Sequence, residues 1–417
     1  MRCYTHRLLS TFILGVAFSC PAFGQTSRPG PVPEAEVSFE LYHNRVYVPV
    51  TINGAGPFTF VLDTGAAWSG VEEGRAHDLH LKSKGYATLI GNGQQKVRSE
   101  VLRDLELSIA GVQVKEPQAV AVPLGELESY EGRRIDGVLG VRLFQEHVVE
   151  IDYARHVLRL YPPASYAYHG SGEEIPLHLE RGAALFDAEI EVTTGELINA
   201  RLAIDLGTYS ALRLYRHFLT EHRDAFSTLH STESFGFGMG GEFPESQTRV
   251  TGLRIGKLKL SGPLVELSEA TGGATATGAF AGTIGGDILR RFTVILDYAR
   301  SHSFFEPNPA FTDPFEPDLS GVILAAQGAD LRTVTIHHVV PDSAALRAGV
   351  QVGDVISSIN GIDAQQLGVA GIYQMFKHPG IYAFVITRGG RTIPLTLRLG
   401  PLPAASSWRA VLIDLRG

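Results

Sequence analysis

In several segments of this chain apolar and polar residues alternate with a period of two, the spacing of strands that bury one face. Val46-Tyr-Val-Pro-Val-Thr-Ile52 alternates and runs into Asn53-Gly54, a dipeptide suited to a two-residue hairpin turn. Phe58 to Leu62 is apolar but for Thr59, as expected of a strand covered on both faces. Helical signals are short, at Val141 to His147 and Asp287 to Phe292. Prolines crowd Pro307 to Pro317, which reads as a stiff connector. Beyond it the pattern becomes a compact αβ mixture. Val334 to Val340 reads as a strand, and Pro341 to Ala348 begins a short capped helix. A strand then ends at Ile359-Asn360-Gly361, and Tyr382 to Arg388 with Arg391 to Leu399 form a hairpin around Gly389-Gly390.

An internal repeat organises the middle of the chain. Phe58-Thr-Phe-Val-Leu-Asp63-Thr-Gly65-Ala resembles Ala200-Arg-Leu-Ala-Ile-Asp205-Leu-Gly207-Thr. Gly137-Val-Leu-Gly140 precedes a short helical stretch and Ile151-Asp-Tyr-Ala-Arg155, while Gly282-Thr-Ile-Gly285 precedes another and Leu296-Asp-Tyr-Ala-Arg300. The offsets are 142 for the aspartates and 145 for the other two landmarks. Such long units indicate a duplicated lobe, since solenoid repeats span only about 20–50 residues. The expected boundaries are a first lobe at 38–165, a second at 166–307, a connector at 308–317, a C-terminal domain at 318–400 and a tail at 401–417.

Composition agrees with a β-rich chain. Among 417 residues, 44% are apolar and 19% charged, too apolar for disorder, and 46 glycines with 22 prolines imply frequent turns. Residues 1–24 read as an export signal: Arg2 and Arg7, the apolar run Leu8 to Phe18, then small residues in Ala22-Phe23-Gly24. Cleavage after Gly24 would give a periplasmic or secreted protein. The uncharged run from Leu8 to Gly24 is short for a membrane span, and no later run reaches that length. Phe18 is bulky where a lipid anchor at Cys20 wants a small residue. Both cysteines, Cys3 and Cys20, fall in this leader, so the mature chain would hold no disulfide, thiolate metal site or cysteine nucleophile. Losing the leader's two arginines takes the net charge from −8 to −10, and no basic stripe invites nucleic acid.

The candidate chemistry lies in Asp63 and Asp205. An acid directly after an apolar strand, followed by glycine, places a carboxylate where burial is costly and where it wants a partner or a shared proton. Two such acids on duplicated lobes can meet on a pseudo-twofold axis. One then activates water as a base while the other polarises a carbonyl as an acid.

From Ser38 to Pro307 the chain resembles the aspartic proteases of the retroviral and pepsin type. Asp63-Thr64-Gly65-Ala66 carries the resemblance, with Val138-Leu139-Gly140 and Thr283-Ile284-Gly285 as the element of each lobe that is ordinarily two apolar residues and a glycine. The resemblance implies a mainly β, bilobal fold with both lobes in one chain, a single copy sufficient for activity, and Asp63 and Asp205 as the dyad. Thr64, Gly65, Gly207 and Thr208 would support it. Leu206 stands where the family usually has Thr or Ser, whose hydroxyl bonds across the lobes, so half of that bracing is expected to be missing. Thr208 is expected to hydrogen-bond the outer oxygen of Asp205, as in pepsin-like members. Flaps that close over an extended peptide are expected at Gly91-Asn92-Gly93, whose Asn-Gly suits a tight hairpin, and around Gly238 and Gly240.

From Gly321 to about Leu399 the order of elements looks like a PDZ domain. The string Ala348-Gly-x-x-x-Gly353-Asp354-x-Ile356-x-x-x-Asn360-Gly361 carries that resemblance. Ser320-Gly321-Val322-Ile323 sits where such domains have their carboxylate-binding loop, and its amides would capture a peptide terminus while the peptide adds to a strand edge. No cofactor or metal is expected, for the chain has no His-Glu-x-x-His string. His337-His338, adjacent on a strand, are expected at surface or edge positions pointing to opposite faces. The glycines from Gly236 to Gly241 lack the lysine and following helix of a phosphate loop, and Ser210 and Ser234 lack a nucleophile elbow. Two functions follow: an exported aspartic endopeptidase with a PDZ module, or a catalytically silent peptide-binding protein on the same scaffold.

Overall fold

The computed structural model describes residues 30–400 apart from 194 and 278. The expected export signal and the 401–417 tail lie outside the described residues. The fold is mainly β, arranged as four sheets. In the first lobe Arg45–Ile52 pairs with Ala55–Leu62 through the predicted turn. Asn53 and Gly54 sit at φ 48° and 81°, the left-handed pair that this turn needs. Strand Gly137–Leu139 then lies parallel to Ala55–Leu62 and antiparallel to Gly70–Glu72. Gly137 allows this, because a β-carbon there would run into the Phe60 ring.

The second lobe repeats that arrangement strand for strand. Ala183–Glu191 pairs with Leu197–Ile204, and Gly282–Ile284 lies parallel to the latter and antiparallel to Leu212–Leu214. Each lobe sheet has ten strands in the same order.

A six-stranded third sheet joins the lobes. At its centre Val148–Asp152 pairs antiparallel with Phe292–Asp297, Val149 opposite Leu296 and Ile151 opposite Val294. The duplicated Asp-Tyr-Ala-Arg strings close the turns that follow these two strands. Asp152 accepts from Arg155 N and its guanidinium, and Asp297 does the same with Arg300. One apolar core runs under both lobes, taking in Leu62, Ile151, Ile204 and Leu296. The helical signal at Asp287 to Phe292 is shorter than expected: Gly286–Leu289 is helical, and buried Phe292 already opens the joining strand.

The C-terminal domain has its own core around Ile336, Ile359, Phe376 and Phe384. Its sheet runs Val322–Gln327, Thr333–Val339, Val355–Ile359, Gly380–Arg388 and Arg391–Leu399, with Val322–Gln327 at one edge. The helix Ala364–Phe376, broken at Gly368 (φ 61°), was not evident from periodicity. The proline-rich connector is not a spacer. Fully buried Arg291 donates to the carbonyls of Ala310, Asp313 and Pro314 and stacks on Phe315, laying the connector along the second lobe. Among the described residues no helix is long and apolar enough to cross a membrane.

Candidate active site

Each aspartate sits where its strand ends above the strand threaded beside it. Asp63 N donates to Leu139 O at 2.9 Å, and Asp205 N donates to Ile284 O at 3.0 Å. The glycine two residues on turns its amide back onto the carboxylate: Gly65 N to Asp63 Oδ1 at 2.7 Å, Gly207 N to Asp205 Oδ1 at 3.0 Å. The two turns meet face to face. A β-carbon on Gly207 would lie 2.6 and 2.7 Å from the Asp63 oxygens, and one on Gly65 would lie 3.1 Å from Asp63 Oδ1 and 3.3 Å from Asp205 Oδ1. Asp205 is 8% exposed, whereas Asp63 is partly open to solvent.

The bracing is one-sided. Thr64 Oγ1 donates across the interface to Ile204 O at 2.6 Å and accepts from Leu206 N at 3.1 Å. Leu206 offers no hydroxyl in return and is packed into the shared core. Thr208 departs from expectation. Its hydroxyl is engaged with Ser210 Oγ at 3.2 Å and accepts from Arg213 at 3.5 Å, so it is turned into the buried cluster of the second lobe and not onto the Asp205 carboxylate.

Burial and mutual repulsion shift both carboxyls upward. Asp63 is pushed up to about 7, first by desolvation and then by the Asp205 charge, and Asp205 is raised by desolvation. Two buried acids that close hold one proton between them over a wide pH range. That state supplies a base and an acid together.

Two arginines escaped the sequence reading. Arg45, at the head of a strand otherwise read for its alternation, donates to Gly207 O at 2.7 Å and to the Glu131 carboxylate, and its charge opposes the rise at both aspartates. Glu131, pinned between Arg45 and His43, is held down at about 2. Arg213 is buried in the second lobe, 3.2 Å from Glu245, with Glu266 on the neighbouring strand. Burial, and then the Glu245 charge, push Glu266 up to about 8 against the pull of Arg213. The only available signal was a charge inside a short apolar strand.

The candidate flaps are hairpins that touch. Ser83–Ile90 and Lys96–Leu102 are joined through 91–95, a five-residue connection, not the tight turn expected of Asn92-Gly93. Its tip is shaped by the other hairpin, Thr232–Gly238 with Gly241–Arg249: Gly93 N donates to Met239 O at 3.0 Å and Gln95 N to Gly240 O at 2.9 Å. The flap glycines are therefore contact residues. A β-carbon at Gly91, Gly93 or Gly240 would strike the opposing backbone, and one at Gly238 would press on Asn92. Beside this junction a pocket of about 740 Å³ opens, lined by Gln94, Gln95, Gly240 and the carboxylates of Glu72, Glu126 and Glu242.

The C-terminal domain is seated on the lobes by its peptide-facing edge. The amides of Ser320 and Gly321 and the Ser320 hydroxyl all donate to the carboxylate of Asp318, at 2.8 to 3.3 Å. Val322 N turns to Ser320 Oγ at 3.3 Å, and Ile323 is buried in the strand. Along the free edge Leu324 N donates to Tyr373 Oη at 2.9 Å, and Ala326 O accepts from Ser129 on the first-lobe helix Gly125–Glu131. The loop expected to hold a ligand's carboxylate thus already holds one of the chain's own.

Paired aspartate turns on duplicated β lobes, closed by hairpins, are the features of an aspartyl protease. Residues 48–143 match the family model described as aspartyl protease, and residues 312–382 match that of the PDZ domain. The two matches support the architecture of an aspartyl protease domain followed by a PDZ domain, a protease scaffold with a peptide-binding module. The first match covers the lobe of Asp63; the second lobe joins it through identical strand order. No curated protein matches the chain.

Proposed function

We propose that the chain is an aspartic endopeptidase that hydrolyses peptide bonds with Asp63 and Asp205 as its dyad. The observation that carries this reading is the meeting of the two turns, each glycine packed on an aspartate and both carboxyls raised. The singly protonated pair draws a proton from water as that water attacks the scissile carbonyl, and the other carboxyl donates to the developing oxyanion. Flap backbone and strand edges would hold an extended peptide across the dyad.

Incubating the protein with an unfolded polypeptide and sequencing the fragments tests the proposal. Cleavage that survives in neither Asp63→Asn nor Asp205→Asn supports it; fragments equally abundant with both variants refute it. Because both aspartates come from one chain, rate per molecule should stay constant on dilution, and a fall in step with dimer dissociation would contradict that. We propose further that the protein is exported, with its mature terminus near Gln25. Intact-mass measurement of protein outside the cytoplasm checks this, and retention of Cys3 would refute it.

The second reading, a silent peptide binder, is favoured by one observation: Leu206 removes the brace on one side. In either reading a peptide terminus at Ser320 to Ile323 must displace Asp318, and a peptide added along the strand edge must displace the first-lobe Ser129 from Ala326 O, so PDZ occupancy is coupled to how the module sits on the lobes.

A further inference from the structure

His337 and His338 do not point apart. The pairing of Val322–Gln327 with Thr333–Val339 slips by one residue between Ile323 and Leu324, which sit opposite His338 and Ile336 and leave His337 as the extra residue of a bulge. A bulge re-aims the side chain it inserts. Here it brings two adjacent imidazoles to one carboxylate oxygen: Glu242 Oε2, at the base of the second-lobe flap turn, lies 3.3 Å from His337 Nε2 and 3.0 Å from His338 Nε2. The three ligand atoms all fall within 4.8 Å of one another.

From this geometry we infer that Glu242, His337 and His338 form a site for a divalent transition-metal ion of the zinc class, bridging the second flap and the PDZ domain. Two imidazole nitrogens and one carboxylate oxygen suit zinc, cobalt, nickel or copper and not the all-oxygen preference of magnesium or calcium. Bonds of about 2.0–2.2 Å to a tetrahedral ion put neighbouring ligand atoms about 3.3 Å apart, close to the two spacings from Glu242. The remaining position faces solvent, for all three side chains are about one third exposed. Tyr130 meets the His337 ring edge-on at 5.3 Å between centroids, and Phe235 stacks on His338 at 4.3 Å, so both rings are held from the protease side. Binding requires unprotonated Nε2 on both rings, so the ion displaces the protons these atoms use toward Glu242.

The site is not catalytic; it ties two parts together. Glu242 is the second residue of the strand leaving the flap turn, three residues after Met239 that meets the first flap, and both histidines belong to the other domain. An ion held by all three would fix the flap to the module.

The test uses the full chain, stripped with a chelator and titrated with cobalt(II) chloride. The proposal expects one equivalent to bind with the visible absorption of a four- or five-coordinate ion, and zinc to displace it. Glu242→Gln, which keeps shape, and His338→Ala should each weaken binding about tenfold or more, since loss of even an outer partner of a metal ligand costs about 10–100-fold. His302→Ala, removing another histidine paired with a carboxylate (Glu174, 2.9 Å), should leave it unchanged. Zinc should also slow amide exchange from Phe235 to Glu242 in wild type and not in Glu242→Gln. No stoichiometric cobalt uptake, or uptake as tight in Glu242→Gln as in wild type, overturns the site. Uptake without slowed flap exchange overturns the bridge.

Discussion

The two lobes share strand order to the last strand yet surround their aspartates with opposite chemistry. Beside Asp63 the strands Gly70–Glu72 and Ala119–Val122 pair Val71 with Ala121, and the adjoining cluster of Tyr47, Val61, Val120 and Val138 is apolar. Leu214 with Leu267 matches that pair in the second lobe, but one residue earlier, where the first lobe has Gly70 with Val120, the second pairs Arg213 with Glu266, with Glu245 alongside. The hydroxyl brace is likewise on one side only, Thr64 against Leu206. Duplication fixed the backbone, whereas the side chains beneath each aspartate diverged. Within that frame a dyad needs two facing carboxylates more than it needs matched surroundings.

The largest expected effect breaks the symmetry of the glycines. Gly207→Ala drives a methyl group into the Asp63 carboxylate and should abolish hydrolysis, whereas at Gly65 the same methyl meets oxygens at 3.1 and 3.3 Å and should only reduce it. Rates of the two purified variants on one peptide check this; equal rates would mean that the turns are not packed as described.

Next comes the buried ion cluster. Arg213→Met should cost about 3–5 kcal/mol in denaturant melts by leaving Glu245 and Glu266 without their cation, against about 1–3 kcal/mol for Val71→Ala, which opens a small cavity. The pH dependence has a definite sign. Glu266 is raised from 4.5 to about 8 in the fold, so between those values the folded chain holds a proton that the unfolded chain lacks, and stability rises as pH falls. Without Arg213 that carboxyl rises further, so the variant's deficit should grow as pH climbs through about 8, where the wild-type carboxyl ionises, and be smaller below it. A deficit independent of pH would remove the charge explanation.

A smaller effect sharpens the bracing comparison. Thr64→Ala loses two buried hydrogen bonds across the lobes and should cost about 2–3 kcal/mol. Leu206→Thr trades core volume for a second hydroxyl; it should lose about 1–2 kcal/mol in stability and raise turnover. Calorimetry with steady-state rates separates the two, and an unchanged rate in Leu206→Thr, with its hydroxyl seen bonded across, would show that the second brace is dispensable. Smallest is Ser129→Ala, which removes one bond to the PDZ edge, worth about 1 kcal/mol. Amide exchange at Leu324 to Ala326 should quicken. If it does not, the first-lobe helix is not what covers that edge.

Much of this was legible in the chain because local signals and duplication coincide there. Alternation, Asn53-Gly54 and the repeated Asp-Tyr-Ala-Arg strings depend on neighbours in sequence, and they gave the lobe hairpins and the repeat. What stayed hidden depends on partners far away. Arg45 is read as one charge on a strand until the Gly207 carbonyl arrives from 162 residues on. His337 and His338 follow the period of a strand except at a bulge, which pairing with Val322–Gln327 creates. Asp318 opens the expected C-terminal domain with no role of its own in the sequence, yet it fills the loop where a ligand's carboxylate was expected, and burial pushes it up to about 6. The flap glycines were read as turn formers, and only the opposing hairpin shows that they are contact surfaces.

The most direct measurement of the central claim is the pH–rate profile of peptide hydrolysis for wild type, Asp63→Asn and Asp205→Asn. With Asp63 raised from 3.8 to about 7 and Asp205 raised beside it, the pair keeps its shared proton into the neutral range and loses it above. Wild-type activity should therefore be highest below neutrality and fall as pH passes about 7, and each variant should be at least about 100-fold slower at every pH. A rate that climbs steadily into alkaline pH, or an Asp205→Asn variant as active as wild type, would contradict a two-lobe dyad.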